Sequence, residues 1–270
     1  MDFYLGTDQP NWLGKIDVPM MVSRRRMPKR KYPRAIAPWI LDSGGFSELN
    51  LHGTWILGAK EYASLVRHYD AEIGRMAFAA PQDWMCEPFM LKKTGLTIAE
   101  HQRLTTDNYL ALADNPKVFP VLQGWTVGDY LRHIEGYDKA GVPLDSAPLV
   151  GLGSVCRRQH TPEVHSIIKR LSGEGLRLHA FGVKTQGLAA CRELLASADS
   201  MAWSFRGRFI VGRHGMKPRS CAHCIHHALD WRNRIVGDDK CLSTQLALLV
   251  EKEEKQNGTE LSISSHNHEN

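Results

Sequence analysis

Short apolar runs rich in β-branched and aromatic residues alternate with longer stretches whose apolar positions recur every three to four residues. The short runs predict strands at 19–23, 39–42, 76–80, 118–123, 149–153, 178–183 and 200–203, with 2–7 as an additional candidate. The periodic stretches predict helices over 59–73, 98–113, 127–140, 162–171, 187–196 and 224–236. Two of these helices announce their starts. Thr97 and Glu100 have capping-box spacing, and Thr161-Pro162-Glu163 offers an N-cap followed by a proline whose missing N–H costs a helix nothing there.

Strands alternating with helices predict a parallel sheet covered by helices. No Gly-rich dinucleotide loop follows the first strand, so the expected architecture is a (β/α)8 TIM-like barrel rather than an open sheet. Polar and small residues cluster where the strands end: Asp42-Ser43-Gly44-Gly45-Phe46, Gln82-Asp83-Trp84, Gln123-Gly124-Trp125, Gly151-Leu152-Gly153-Ser154, Gly182-Val183-Lys184 and Trp203-Ser204. In a parallel barrel these ends converge on one face, where catalytic loops gather. The organisation expected is one domain over 1–250, with a zinc-binding region near 212–241 and a polar, disordered tail over 251–270.

Composition narrows the class. The 270 residues are 43% hydrophobic and 23% charged, which suits a globular domain with a sizeable core. No apolar run approaches the roughly 20 residues that span a bilayer, and the first residues lack a signal-peptide pattern, so a cytoplasmic protein is expected. Six cysteines are too few for a disulfide scaffold. The net charge of +5 is concentrated. Seven cations, among them Arg24, Arg25 and Arg26, lie between Ser23 and Arg34, while the other 27 cations face 29 acids. A second acid-free stretch, 200–229, holds Arg206 and Arg208. Localised positive charge is the footprint of phosphate-backbone binding, although a solvated loop has the same composition.

Three acids are candidates for chemistry. Asp42 ends an apolar strand and precedes two glycines that permit close backbone approach to a ligand; a tight turn with Asp as a cap reads equally well. Asp199 is the second, or an ordinary loop acid, and Asp83, beside Trp84, Met85 and Cys86, is the third. Two carboxylates at one mouth permit double displacement at an anomeric carbon. Gln123, with one donor and one acceptor group, suits either a base edge or loop backbone. Trp84, Trp125 and Trp203 follow strand ends, where aromatics stack on an unstacked base or anchor a core.

The metal signal is Cys221-Ala222-His223-Cys224, a Cys-x-x-Cys knuckle ahead of an amphipathic helix. His214 and His227 are the expected further zinc ligands, with His226 and Cys241 as substitutes. A free dithiol or redox pair is the alternative.

These motifs, taken in order, resemble the queuine tRNA-ribosyltransferases, also called tRNA-guanine transglycosylases. Leu41-Asp42-Ser43-Gly44-Gly45-Phe46 resembles their Asp-Ser-Gly-Gly-Phe signature, Val121-Leu122-Gln123-Gly124 their Val-Gln-Gly loop, and Leu149-Val150-Gly151-Leu152-Gly153 their base-binding turn. Ala198-Asp199-Ser200-Met201 stands where that family carries its nucleophile, and the cysteine pair follows it as the family's zinc site does. The chain departs from the pattern as well. Arg219 replaces one zinc cysteine, Ala202-Trp203-Ser204-Phe205-Arg206 follows the nucleophile segment, and Gln82-Asp83-Trp84 replaces Asp-Glu-Cys. The compact form is closer to the phage-type DNA relatives.

The resemblance implies that Asp199 is the nucleophile and Asp42 the general acid/base. It assigns base and substrate contacts to Ser43, Gly44, Gly45, Phe46, Asp83, Gln123, Gly124, Gly151 and Gly153. The implied substrates are DNA, with tRNA as the alternative, and a free 7-deazaguanine base of preQ0 or preQ1 type; Zn2+ is the implied structural ion. A non-catalytic, zinc-stabilised nucleic-acid-binding protein is the remaining alternative, and no oligomer interface is legible.

Overall fold

The computed structural model describes residues 1–158, 161–183, 185–210 and 220–237. The chain forms two compact units. One comprises Met1–Gly14 and Val18–Ala202; the described part of the other comprises Lys15–Asp17, 203–210 and 220–237.

The first unit is an α/β fold built on eight parallel strands: β1 (Asp2–Thr7), β2 (Met20–Ser23), β3 (Trp39–Asp42), β4 (Met76–Ala79), β5 (Val121–Leu122), β6 (Val150–Leu152), β7 (Leu178–Ala180) and β8 (Ser197–Ser200). They form one curled, half-barrel sheet in the order β4-β3-β2-β1-β8-β7-β6-β5. The two sheet edges approach each other through a parallel bridge between Ala79 and Val118. Helices α1 (Gly45–His52), α2 (Ala59–Ile73), α3 (Pro88–Thr94), α4 (Ile98–Leu110), α5 (Val127–Lys139), α6 (Pro162–Ser172) and α7 (Thr185–Cys191) connect the strands. A closed eight-stranded barrel was the expectation; the all-parallel, eight-stranded sheet agrees with it in strand number and direction.

The sheet buries Tyr4, Met21, Ile40, Phe119, Val121 and Leu149 in one cluster. Each such side chain stabilises by about 1.5–3 kcal/mol when removed from water. The predicted caps form as read: Thr97 and Glu100 make the reciprocal capping box of α4, and the Thr161 side chain accepts from Val164 N–H at the start of α6.

Three expectations shift. The last strand is Ser197–Ser200, not 200–203, and the apolar Met201-Ala202-Trp203 run instead leads into α8 (Ala202–Gly207), where Trp203 is fully buried. The helices α1 and α3 form where the periodicity predicts none, and strand pairing at the fifth strand shortens to two residues.

In the second unit, Cys221–His223 forms one 3-10 turn leading into α9 (Ile225–Val236). Ser204 Oγ donates to Ala222 C=O at 2.8 Å, tying α8 to that turn. His214, the alternative ligand Cys241, Lys184 and the tail over 251–270 lie outside the described residues.

Candidate active site

The strand ends and the loops after them bring Asp42, Asp83, Ser154 and Asp199 to one cavity of about 770 Å³, a size suited to a small organic ligand. Asp42, Asp83 and Asp199 all line it, together with Gly44, Gly45 and Phe46.

Asp42 is the last residue of β3 and sits in register with Ser23, the last residue of β2. Its carboxylate accepts hydrogen bonds from the Ser23 hydroxyl and the Gly44 N–H. Burial raises its pKa first, and the nearby charge of Asp199 raises it further, against those two hydrogen bonds. Gly44 holds φ at +83°, and a Cβ there would lie 2.9 Å from Arg25 Cγ, so both backbone and space demand glycine.

Asp83 heads a hydrogen-bonded row. Its Oδ1 accepts from Ser43 Oγ at 3.2 Å and its Oδ2 from Gln123 Nε2 at 2.5 Å. Gln123 Oε1 in turn accepts from Ser154 Oγ at 2.7 Å, and Ser154 Oγ accepts from Cys86 N–H at 2.8 Å. Glu87 Oε2 lies 3.0 Å from the same hydroxyl. One hydroxyl hydrogen cannot serve both Gln123 and Glu87. The row is satisfied when the second proton sits on Glu87, whose carboxyl burial holds above its usual range. Asp83 itself is pushed up to about 7, by burial and then by the Asp42 charge. Ser154 adopts φ +57°, an uncommon backbone state for a residue with a side chain. Its three-way hydrogen bonding is what that conformation secures.

Asp199 projects from β8. Its Oδ1 accepts the Gly182 N–H at 2.9 Å and lies 3.5 Å from His179 Nε2.

The remaining expected site residues divide. Gly153 lines the cavity. Ser43 and Gln123 are fully buried and bonded to Asp83 rather than lining the cavity. Gly151 has Phe119, Phe181 and Val121 against it, and Gly124 packs on Asp129 and Tyr130 of α5, so both serve packing. Arg25 and Arg26 line the cavity. Arg24 is turned to Glu48 of α1, which also takes Arg25 Nη1 at 2.6 Å, and to the Ser43 carbonyl. The tryptophans do not line it: Trp84 packs with Leu49 and Met90, while Trp125 carries the Arg158 guanidinium at 3.8 Å. Phe46 and Phe181 are the aromatic rings of the cavity wall, and the guanidinium of Arg157 lies 4.9 Å from the ring centres of both Phe46 and Phe89.

Sequence reading placed Ser154 at a strand end without giving it a role, and missed Glu87, Phe181 and His179. Strand alternation could have found the last, because His179 and Ser197 pair across β7 and β8 and Asp199 follows two residues on, on the same face.

In the second unit, Cys221 and Cys224 are buried thiols at the two ends of one turn. Burial raises the Cys224 pKa, opposed by backbone N–H groups of His227 and His226 that point at its sulfur. Two thiols so spaced, one facing backbone donors, fit half of a tetrahedral zinc set. Among the described residues no group of three or more His, Cys, Asp or Glu completes one. Arg206 and Arg208 are exposed in this unit, Arg208 over the Phe205 ring at 5.6 Å.

The parallel strands and the loops that follow them thus bring three carboxylates and a glycine-flanked turn to one cavity. The chain belongs to the DpdA family, DeoxyPurine in DNA protein A, whose model matches residues 1–257. That family comprises tRNA-guanine transglycosylase-like enzymes that insert 7-deazaguanine into DNA. A comparison with curated proteins finds no match. No helix among the described residues is long and apolar enough to cross a membrane.

Proposed function

We propose that this protein exchanges guanine in DNA for a free 7-deazaguanine base through a covalent Asp199–sugar intermediate. The observation that carries the reading is that Asp42 and Asp199, far apart in sequence, line one cavity, with the Asp199 charge close enough to raise the Asp42 pKa.

The chemistry divides between them. An Asp199 carboxylate oxygen attacks C1′ of the target deoxyguanosine, and the C1′–N9 bond breaks with its electron pair leaving on guanine. Asp42, whose pKa burial and then the Asp199 charge raise, would give its proton to the departing base. The Asp42 carboxylate then takes the N9 proton of the incoming deazaguanine. That nitrogen attacks C1′ and releases Asp199, so two inversions give retention. One glycosidic bond is broken and one formed, so exchange itself needs no further energy source.

Asp83, positioned by Ser43 and Gln123, would accept hydrogen bonds from the base's N–H edge, and Phe46 and Phe181 would offer faces for stacking. The target base must leave its stack, at a cost of a few kcal/mol. Arg25, Arg26, Arg206 and Arg208 are the proposed phosphate contacts, which predicts binding that weakens steeply with salt. In this reading residues 1–250 form one functional domain, and the Ala79–Val118 bridge is the seam of a closed barrel. Cys221 and Cys224 would hold a structural Zn2+, with His227 from the first turn of α9 and His214 as further ligands. Bound there, zinc would brace the start of α9 and take no part in base exchange.

The test is to incubate the protein with guanine-containing DNA and candidate deazapurines, digest, and weigh the nucleosides. The expected product is a 7-deazaguanine deoxynucleoside, absent with Asp199→Ala. Modified tRNA with unmodified DNA would overturn the DNA assignment. DNA binding without exchange or a trapped adduct would favour a purely binding role.

A further inference from the structure

We propose that His179 is a positioning residue for Asp199: its Nε2–H steadies one carboxylate oxygen, Ser197 fixes the imidazole tautomer that can do so, and the other oxygen is left to attack. The proposal rests on the base-exchange reading above.

The geometry is specific. His179 is the central residue of β7, fully buried, with Tyr4, Phe119 and Phe181 around its ring at centroid distances of 4.9–6.2 Å. An imidazole enclosed by aromatic rings has lost its water, so each ring nitrogen needs a protein partner. Nδ1 has one, the Ser197 hydroxyl at 2.8 Å. Among the described residues no hydrogen bond reaches Nε2, and the acceptor it faces is Asp199 Oδ1 at 3.5 Å. That oxygen already takes the Gly182 N–H at 2.9 Å. Gly182 N–H bonds Oδ1 and His179 Nε2 faces the same oxygen, so among the described residues Oδ2 is the oxygen left for chemistry.

The protons then fall in one order. In the neutral imidazole Nε2 donates only when Nδ1 accepts, and Ser197 then donates its hydroxyl hydrogen to Nδ1. The register of the sheet enforces this alignment, since His179 and Ser197 are direct cross-strand partners and Asp199 lies two residues beyond. A carboxylate fixed at one oxygen loses rotational freedom before attack on C1′, which lowers the entropic part of the barrier.

The experiment uses the full chain and three variants. His179→Leu keeps bulk but no donor, His179→Gln restores an N–H, and Ser197→Ala frees the tautomer. In single-turnover trapping of the covalent DNA adduct, His179→Leu should slow adduct formation roughly 10- to 100-fold with DNA affinity unchanged. His179→Gln should recover part of that loss. Ser197→Ala should slow the step less, and add little in the His179→Leu background, because both act through one contact.

The ¹⁵N spectrum of the free wild-type protein should report the Nε2–H tautomer for His179, with Nδ1–H gaining population in Ser197→Ala. Adduct formation at the wild-type rate in His179→Leu, or an Nδ1–H tautomer in the wild type, would overturn the proposal. If His179→Leu does not fold, His179→Gln and Ser197→Ala carry the kinetic test and the wild-type spectrum stands alone. A wild type that forms no adduct and exchanges no base defeats the underlying reading instead, which distinguishes the two failures.

Discussion

Gln123 donates its side-chain amide to Asp83 at 2.5 Å while its carbonyl oxygen takes the Ser154 hydroxyl at 2.7 Å, so its orientation is fixed from both ends. Gly153 presses on the same amide: a Cβ there would stand 2.2 Å from Gln123 Nε2. Gly153→Ala is expected to push Gln123 off Asp83, raise the KM for the incoming base about 10-fold or more, and destabilise the fold by about 1–3 kcal/mol. Base titration and thermal denaturation read the two effects separately.

Asp83 gives a pH signature. Its folded pKa of about 7 stands above the ordinary carboxyl value of roughly 4, so the folded protein holds a proton that the unfolded chain has lost. Its ionisation therefore costs stability progressively as pH rises from about 4 to about 7. Asp83→Asn removes that penalty and keeps an acceptor for Gln123. Its melting temperature should gain on the wild type between pH 5 and pH 8, while base affinity falls. A constant difference at both pH values would contradict this origin.

Glu48 behaves in the opposite sense. Burial alone would raise its pKa, but Arg25 and Arg24 outweigh that and hold it below the usual range. Its contribution is complete above its ordinary pKa and is lost as pH falls through the lowered one. Glu48→Gln leaves two guanidiniums facing a neutral amide. Because Arg25 is partly exposed, the expected loss is about 2 kcal/mol, below the range for a fully buried pair. Denaturant unfolding at pH 7 measures it, and the difference from wild type should shrink in acid.

For the cysteine pair the readout is metal content. The wild type is expected to purify with zinc, and a Cys221→Ser, Cys224→Ser double variant to lose it and unfold at lower temperature. Equal zinc in both proteins refutes the assignment.

The strand-end logic made Asp42, Asp83 and the glycine turn legible, because apolar runs stopping at polar residues mark both a strand and its catalytic end. The eighth strand escaped that logic. Its sequence, Ser197-Ala198-Asp199-Ser200, is mostly polar because its sheet-interior positions carry site chemistry rather than core. Pattern therefore pointed past it to Met201 and Trp203, the apolar residues beside and within the next helix. The link from Glu87 through Ser154 to Gln123 was invisible for another reason. Its two contacts join residues 67 and 31 apart in the chain, and local periodicity holds no information about such pairs.

The pairing of β1 with β8 sets Tyr4 directly beside Asp199. The Asp199 carboxylate is thus seated against the earliest strand of the sheet, although it belongs to the latest. Until Ser197–Ser200 has docked between β7 and β1, seven strands can assemble yet enclose no competent centre. Acquisition of activity should consequently lag behind acquisition of helix in a refolding experiment, because closing so distant a contact is slow.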